Sequence, residues 1–496
     1  MDSVILCSGL IVLLYVNSTK IVSWLTLTRT SHVGSCFYSP HFGLSPPRVF
    51  GKRTVEGDVE LRSPRTGSGA RLFHDVFPFN GFPRIFVSDG LLSGRRLAVT
   101  DTTLRDGQQG WRPLRVEEGV RIYEFLVELG GRGAIESTEL FLYTHRDREL
   151  ARRIREYGVE RPYPVAWIRS TLSDLRLVLE AGFDETIILA SISDYHIYYK
   201  LGVDRQRAIE KYVTVIGEAL RRGIAVRCAL EDITRADFDK NVRPLVERLV
   251  RLSEEHGTPI RFKLSDTLGL GLPYPDVPPP RGIPALIRRL RGLGLSTSQL
   301  EFHGHNDLGL VVANHLAAWI YGADYSNCTL FGIGERAGNC PLEVMLVHYA
   351  GLTGRLDDMD LSVLPRVAEF FEEMGYRVPE FMPLVGRNAF NTKAGIHIDG
   401  LLKNPEIYLP FNPSLVGRSP GIEVNAYGGR AAIVAWLRLR FPEIGKRVDK
   451  NDPRVVAMHN EIVGLYERGE KQGSLSDDEL VEIASKYFPE LAMWRG

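Results

Sequence analysis

Two pairs of residues in this sequence have the types and spacing of a divalent-metal site. Arg105 and Asp106 follow the apolar run LAVT, and His303 and His305 stand two residues apart at the end of QLEFHGH. A strand places residues i and i+2 on one face, so both imidazoles can point at one ion. Asp106, arriving from a distant strand, would supply a third ligand and leave positions open for substrate. The sequence therefore indicates a metal-dependent enzyme.

This set of ligands also indicates a chemistry. A carboxylate and two imidazoles, with a neutral or carboxamide fourth ligand, suit Mg²⁺, Mn²⁺, Co²⁺ or Zn²⁺. Such an ion would bind a 2-keto acid and polarise its carbonyl group. Arg105 could stabilise negative charge on oxygen, with a buried ion pair as the alternative role. Glu231 and His397 are candidates for a general base or acid, and the Thr267 hydroxyl could hold a substrate carboxylate or merely pack.

Short apolar or β-branched runs alternate with amphipathic stretches from about residue 96 onward. The runs are RLAVTDTTL, AIESTELFL, PVAWI, ETIILASI, AVRCALED, RFKLSDTLG, LEFHGHND and YSNCTLFGIGE. Repeated β–α units predict parallel strands, and eight of them over about 270 residues predict an α/β fold, a closed (β/α)₈ TIM barrel. An open doubly wound sheet is the alternative, but no GxGxxG motif follows the first run.

Polar residues cluster directly after these runs. In a barrel, the carboxyl ends of the strands form the face that carries the active site. Isolated polar residues at such ends can also cap helices, but so many together favour a site. The polar residues of this cluster that are predicted to bind substrate are Gln109, Glu139, His196, Thr267 and Glu335.

The pattern divides the chain into four parts. Residues 1–68 are interpreted as a poorly structured or mis-assigned N-terminal extension. A secretion or membrane signal at 4–16 is disfavoured, because this apolar stretch is short and no basic residue precedes it. The other parts are predicted to be a catalytic barrel at 69–365, a lid or linker at 366–430 carrying His397 and Tyr408, and a helical region at 431–496.

The composition is that of an ordinary globular protein. Lys plus Arg and Asp plus Glu both number 61, so the net charge favours neither a nucleic-acid nor a membrane partner. The 5 cysteines lack CxxC spacing, which disfavours a disulfide framework and fits a reduced, cytoplasmic protein. Cys228 and Cys328 lie in apolar runs and are expected to be small buried hydrophobic residues.

Four ordered motifs resemble those of the acetyl-CoA-dependent condensing enzymes of the 2-isopropylmalate synthase and homocitrate synthase family. They are TDTTLRDGQQ, HGHNDLG, GIGERAGNCPLE and KAGIHIDGLLKNPEIY, and the resemblance covers roughly residues 70–430. It implies a (β/α)₈ barrel that joins the acetyl methyl carbon to the carbonyl of a 2-keto acid and then hydrolyses the thioester.

The resemblance also implies roles for individual residues. Asp106, His303 and His305 are similar to the family's metal ligands, with Asn339 as a further contact, and Arg105 to its catalytic arginine. Glu231 and His397 are similar to the family's proton-transfer pair, and Tyr408 is similar to the residue that assists it. Because the family's His and Tyr come from a partner subunit, the resemblance implies a domain-swapped homodimer.

Segments 138–147, 191–201, 231–238 and 266–282 resemble the Re-face citrate synthases most, which implies oxaloacetate as acceptor and citrate as product. The family's acidic residue in LRDGEQ is Gln108 here. No leucine-sensing domain is expected after the lid. Synthesis of 2-isopropylmalate, homocitrate or citramalate stays open, because a few side chains change the acceptor. Alternatives of other classes are a hydroxymethylglutaryl-CoA lyase, a biotin-dependent carboxyltransferase using Lys263, and a non-catalytic barrel.

Overall fold

The computed structural model describes residues 6–7, 10–11, 72–88 and 90–493. The chain divides into two compact units, residues 1–60 and 61–496. In the first unit, Leu6–Cys7 and Leu10–Ile11 pair as antiparallel two-residue strands. The rest of the extension predicted at 1–68 lies outside the described residues, so its character stays a prediction.

The second unit contains a closed barrel of eight parallel strands, in the order β8-β1-β2-β3-β4-β5-β6-β7. The strands are β1 (Ala98–Asp101), β2 (Ile135–Leu140), β3 (Tyr163–Arg169), β4 (Glu185–Ser191), β5 (Ala225–Glu231), β6 (Arg261–Asp266), β7 (Leu300–Gly304) and β8 (Tyr325–Cys328). Each coincides with one of the apolar runs of the sequence. The predicted (β/α)₈ barrel is confirmed.

A helix follows each strand and packs an apolar face on the barrel. These helices are α1 (Val116–Gly130), α2 (His145–Glu156), α3 (Leu172–Glu180), α4 (Arg205–Arg221), α5 (Arg243–His256), α6 (Ile283–Arg291), α7 (Val311–Tyr321) and α8 (Leu342–Thr353). In α1 the buried residues Ile122, Leu126 and Leu129 recur at helical spacing. Among the described helices, none is both long and apolar enough to cross a membrane.

The barrel interior holds buried charges as well as apolar side chains. Arg227 donates to both carboxylate oxygens of Glu185, at 2.8 and 3.0 Å, and reaches Glu301 at 3.4 Å. Glu301 also accepts a 2.6 Å hydrogen bond from the Thr100 hydroxyl. Burying charge is tolerated only when it is paired and hydrogen-bonded. The inward-facing positions therefore form a linked polar network beneath the barrel mouth.

The chain after the barrel forms further helices and a second apolar core. The elements are α9 (Leu364–Glu373), α10 (Gly395–Lys403), α11 (Gly429–Arg440), α12 (Pro453–Glu467) and α13 (Asp477–Tyr487), with short paired strands at Asn391–Thr392 and Gly421–Ile422. Helix α9 packs Val367 and Phe371 into the barrel core, so the boundary predicted at residue 365 falls inside this helix. Ile433, Trp436 and other residues of the tail form the second core.

Replacing Glu118 with Gln is expected to lower the free energy of unfolding by about 1 kcal/mol at neutral pH. Glu118 caps α1: it accepts from the Arg115 backbone at 2.7 Å and from both terminal nitrogens of Arg112 at 2.9 and 3.0 Å. The Arg112 hydrogen bonds lower the pKa of Glu118 to about 2. Because the folded-state pKa lies below the usual glutamate value of 4.5, this stabilisation is present above that pH and is lost as the pH falls toward 2.

Urea unfolding of the Glu118→Gln variant near neutral pH and in acid measures this difference. The matched control is Glu117→Gln, whose side chain is 73% exposed and lies 3.5 Å from Arg153. This control is expected to unfold like the unmodified chain. A Glu118→Gln variant that is equally destabilised at both pH values would contradict the assignment.

Candidate active site

The predicted metal ligands meet at the carboxyl ends of β1 and β7, which flank β8 on either side. One turn of π-helix, Thr103–Gly107, follows β1 and brings Arg105 and Asp106 to the barrel mouth. Asp101 holds the start of this turn, because its carboxylate accepts from the Thr103 backbone at 3.0 Å and from the Thr138 hydroxyl at 2.6 Å. Parallel pairing thus joins residues about two hundred positions apart in sequence.

Asp106, His303 and His305 form a buried group with ligand atoms facing one another. Asp106 Oδ2 lies 3.9 Å from His303 Nε2 and 3.7 Å from His305 Nε2. All three ligand atoms lie within 4.8 Å of one another, a spacing that one cation between them can bridge. Asn339 donates to Asp106 Oδ2 at 2.7 Å, while Asn339 Oδ1 and His305 Nδ1 are buried with no hydrogen-bond partner. Unpartnered buried polar atoms are costly, which fits groups that gain a partner when a cation binds.

The charges at this group favour cation binding. Burial opposes ionisation of Asp106, but the Arg105 guanidinium holds its pKa well below the usual range. Burial lowers the pKa of His303, and so does the nearby Lys263. Burial also lowers the pKa of His305. The carboxylate is therefore ionised and both imidazoles are neutral, which are the forms that bind divalent cations.

Asn327 on β8 sets the tautomer of His303. Its side-chain nitrogen donates to Thr100 at 2.9 Å and to Glu139 at 2.8 Å, so its oxygen faces His303 Nδ1 at 2.9 Å. The proton of His303 must then sit on Nδ1, which leaves the Nε2 lone pair pointing at Asp106 and the cation position. Sequence reasoning missed Asn327. Its inward-facing position on the last predicted strand was the available signal.

Arg105 is held by two carboxylates. Its Nη1 donates to Asp106 at 2.6 Å, and its Nε donates to Glu139 at 3.1 Å. The guanidinium also lies 5.2 Å from the centre of the Trp167 ring. Glu139 is fully buried and also accepts from Lys263. This arrangement favours a positioning role for Glu139 over the direct substrate contact predicted from sequence, because its oxygens already hold two cations.

A second polar group lies at the ends of β4 and β5. Glu231 contacts Lys200 at 2.8 and 2.7 Å and His196 Nδ1 at 3.0 Å, and it accepts from the Ser191 hydroxyl. Burial raises the pKa of Glu231, but the hydrogen bond from His196 and the charge of Lys200 outweigh this effect and lower the pKa to about 2. Thr267 is nearby but its hydroxyl accepts from the Asp232 backbone at 2.9 Å. Glu231 is thus an ionised carboxylate in contact with Lys200 and His196.

An open cavity of about 850 Å³ lies at the carboxyl ends of β2, β3 and β4. It combines aromatic walls with exposed cations, and its lining includes Gln109, Phe141, Tyr143, Trp167, Arg169, Ser191 and Lys200. Gln109 also lies 3.5 Å from Arg105. Glu335 is mostly exposed and lies 3.9 Å from Arg336, which pairs with Asp307 at 2.7 Å. The metal ligands do not line this cavity; Trp167 and Gln109, which both lie near Arg105, are the lining residues closest to that group.

His397 and Tyr408 lie together, but away from these contacts. Their ring centres are 4.4 Å apart, on α10 and just after the short helix Pro405–Ile407. Both side chains are exposed. Among the described residues, no hydrogen bond or ion pair joins either of them to Arg105 or Asp106. The two rings lie side by side, and both their catalytic roles and their delivery by a partner subunit stay predictions.

Known proteins provide an independent comparison. The chain is 41% identical over 427 residues to the citrate (Re)-synthase of Clostridium kluyveri, covering 84% of this chain and 94% of that protein. It is 38% identical to the citrate (Re)-synthase of Syntrophus aciditrophicus, over 84% of this chain and 68% of that protein. It is 39% identical to the 2-phosphinomethylmalate synthase of Streptomyces hygroscopicus, over 83% of this chain and 94% of that protein.

Two protein families also match, one over the barrel and one over the region that follows it. The homocitrate synthase post-HMGL domain-like family matches residues 384–459, which include α10 and α11. The HMGL-like family matches residues 96–371, from the strand before Asp106 to the helix that closes the barrel core. The match confirms the family resemblance of the motifs: the chain belongs to the HMGL-like family.

Proposed function

We propose that this protein is an acyltransferase that condenses acetyl-CoA with a 2-keto acid, most specifically oxaloacetate, and hydrolyses the thioester to release citrate and CoA. The observation that carries the proposal is the convergence of Asp106, His303 and His305 with Arg105 at the barrel mouth. The relatives named as citrate (Re)-synthases support the reaction class. Lys200 and Arg169 line the cavity, but Lys200 pairs with Glu231 and Arg169 with Asp174, so the choice of oxaloacetate is supported by these relatives.

The donor set fits a divalent cation, with Asp106, His303 and His305 as ligands and Asn339 as a further contact. When bound there, such an ion supplies Lewis-acid polarisation of the keto carbonyl. The ionised Asp106 and the Nε2 lone pair of His303 are already oriented for it. The chain's own part is to exclude water from this buried group and to fix its geometry.

Arg105 and the proton-transfer pair perform the remaining steps. The Arg105 guanidinium, held by Glu139, stabilises negative charge on the reacting oxygen. Glu231 is ionised and accepts a proton from the acetyl methyl group, and the methyl carbon then bonds to the keto carbon. His397, with Tyr408 beside it, donates its own proton to the new alkoxide; Glu231 then releases the methyl proton to solvent, and His397 takes up a proton from solvent for the next turnover. Water then cleaves the thioester, giving a carboxylate and the free CoA thiol.

We further propose a homodimer in which each subunit supplies His397 and Tyr408 to its partner's barrel. The exposure of His397 and Tyr408 supports this arrangement, since among the described residues neither side chain has a hydrogen bond or ion pair to Arg105 or Asp106. A cytoplasmic location fits the supply of acetyl-CoA and the free buried thiols of Cys228, Cys328 and Cys340.

Release of CoA thiol with a panel of acceptors tests the proposal. Purified protein with Mn²⁺ and acetyl-CoA is expected to release thiol with oxaloacetate, and far less with 2-oxoglutarate, 2-oxoisovalerate or pyruvate. A phosphinate analogue of oxaloacetate belongs in the panel, because one relative is named for a phosphinomethyl product. Product analysis should identify citrate.

The His303→Ala variant is the control, because it should lose metal and thiol release together. Preference for another acceptor would replace oxaloacetate but keep the condensing reaction. Failure of every acceptor, under anaerobic conditions with each candidate metal, would refute the condensing reaction. Cleavage of hydroxymethylglutaryl-CoA by the same preparation would favour the lyase alternative instead.

A further inference from the structure

A second cluster of ligand-type side chains lies on the outer side of β8, facing the helices. It consists of His315 from α7, Cys328 from the end of β8, and Cys340 from the segment before α8. All three side chains are completely buried, at 0% exposure, and their ligand atoms lie within 4.8 Å of one another. Cys328 was expected to be a small buried hydrophobic residue. It is buried, but in a polar cluster that the proposed reaction does not use.

The geometry of this cluster suits tetrahedral coordination. Cys328 Sγ lies 3.9 Å from His315 Nδ1. Ligand atoms bound at 2.0–2.3 Å around a tetrahedral zinc ion are separated by about 3.5 Å, so little movement would be needed. The Ser326 hydroxyl lies 2.7 Å from His315 Nδ1 and 3.3 Å from Cys328 Sγ, which places an oxygen beside the same position. Backbone hydrogen bonds fix the two cysteine segments, since Thr329 donates to the Cys340 carbonyl at 3.0 Å.

The chemistry of the donors points to a soft cation. Thiolates select zinc and other thiophilic metals, whereas the carboxylate-containing group at the mouth suits harder ions. Two thiolates would neutralise a divalent cation in a pocket without solvent. The buried carboxylate of Glu343 lies near Cys340, but it is not one of the three clustered ligands, and one of its oxygens accepts from the Phe331 backbone at 3.0 Å. The two groups are therefore chemically distinct, although only β8 separates them.

We propose that His315, Cys328 and Cys340 form a structural site for a thiophilic divalent cation, separate from the catalytic metal. Strand alternation explains the separation: Asn327 points inward to His303, and its neighbours Ser326 and Cys328 point outward to α7. The bound cation would tie α7, β8 and the segment before α8 to one another. That segment carries Asn339, directly before Cys340, so the site would also brace the contact between Asn339 and Asp106.

Cobalt substitution tests this proposal without using activity. Metal-free protein is loaded with Co²⁺ under anaerobic, reducing conditions, and bound metal and near-ultraviolet absorption are measured. Only a thiolate ligand gives a sulfur-to-cobalt charge-transfer band, and the mouth offers oxygen and nitrogen ligands alone. We expect the band and one more equivalent of cobalt than the catalytic site takes. Unmodified protein that binds cobalt but lacks the band would overturn the proposal.

Variants then assign the band. Cys340→Ser should lose the band and one equivalent of cobalt, whereas His303→Ala should lose one equivalent and keep the band. Cys228→Ser is the matched control, because Cys228 is equally buried on β5 but belongs to no ligand cluster among the described residues. It should keep both equivalents and the band. A band that persists in Cys340→Ser, or that disappears in Cys228→Ser, would contradict the assignment. Failure of every acceptor in the condensation test would leave this result untouched.

Discussion

Replacing Glu139 with Gln is expected to destabilise the barrel by about 3–5 kcal/mol and to reduce kcat at least about a hundredfold. The fully buried Glu139 carboxylate compensates two buried cations, Arg105 and Lys263. An amide of the same shape leaves that charge uncompensated and frees the guanidinium to rotate. Burial opposes its ionisation, but Lys263 and Arg105 lower the pKa of Glu139, so this carboxylate is charged in the folded protein. Urea unfolding and steady-state kinetics measure the two effects.

A double-mutant cycle separates the two roles of Glu139. The second change, Lys263→Met, removes one of the two cations, and the Lys263 side chain is only 1% exposed. Adding it to Glu139→Gln should restore much of the stability, because the remaining cation, Arg105, keeps Asp106 as a partner at 2.6 Å. It should not restore kcat, since Arg105 still lacks its second anchor. A double variant that regains activity as well would show that Glu139 serves only charge balance.

The sequence predicts the barrel well, because eight apolar runs with intervening helical periodicity leave few other topologies. It also predicts that Asp106 and the two histidines converge, since strand ends of a closed barrel share one face. The convergence depends on β8 lying between β7 and β1, and the strand pairing confirms that order. These features follow from local sequence patterns and from the pairing of the last strand with the first, which closes the barrel.

The hydrogen-bonded anchors are harder to predict, because they depend on which inward-facing residues meet across the barrel. Glu139 and Lys263 come from β2 and β6, which are not neighbouring strands. Only the tilt and stagger of the closed barrel bring them together. The position of Glu139 after an apolar run predicts a substrate contact but does not reveal its pairing with Lys263. In the same way, the sequence does not reveal that Asn327 contacts His303 and so decides the tautomer of His303.

His397→Ala is expected to keep its metal and to lose about a hundredfold to ten-thousandfold in kcat, as removal of a general acid does. Asp106→Asn is expected to lose metal and activity together, because the amide cannot replace the ionised ligand. If His397 acts on the partner's barrel, subunits of these two inactive variants should complement each other. In a mixed dimer, one site then combines an intact barrel with an intact lid.

Random reassembly of equal amounts of the His397→Ala and Asp106→Asn variants should restore about a quarter of the unmodified activity, since half the dimers are mixed and each has one complete site. The matched control mixes Asp106→Asn with His303→Ala. Both changes lie in the barrel mouth, so no dimer regains a complete site and activity should stay low. Recovery in the control would indicate a non-specific effect of mixing. No recovery in either mixture, with mixed dimers demonstrated by mass spectrometry, would place His397 in its own subunit's site and remove the case for exchange of the lid.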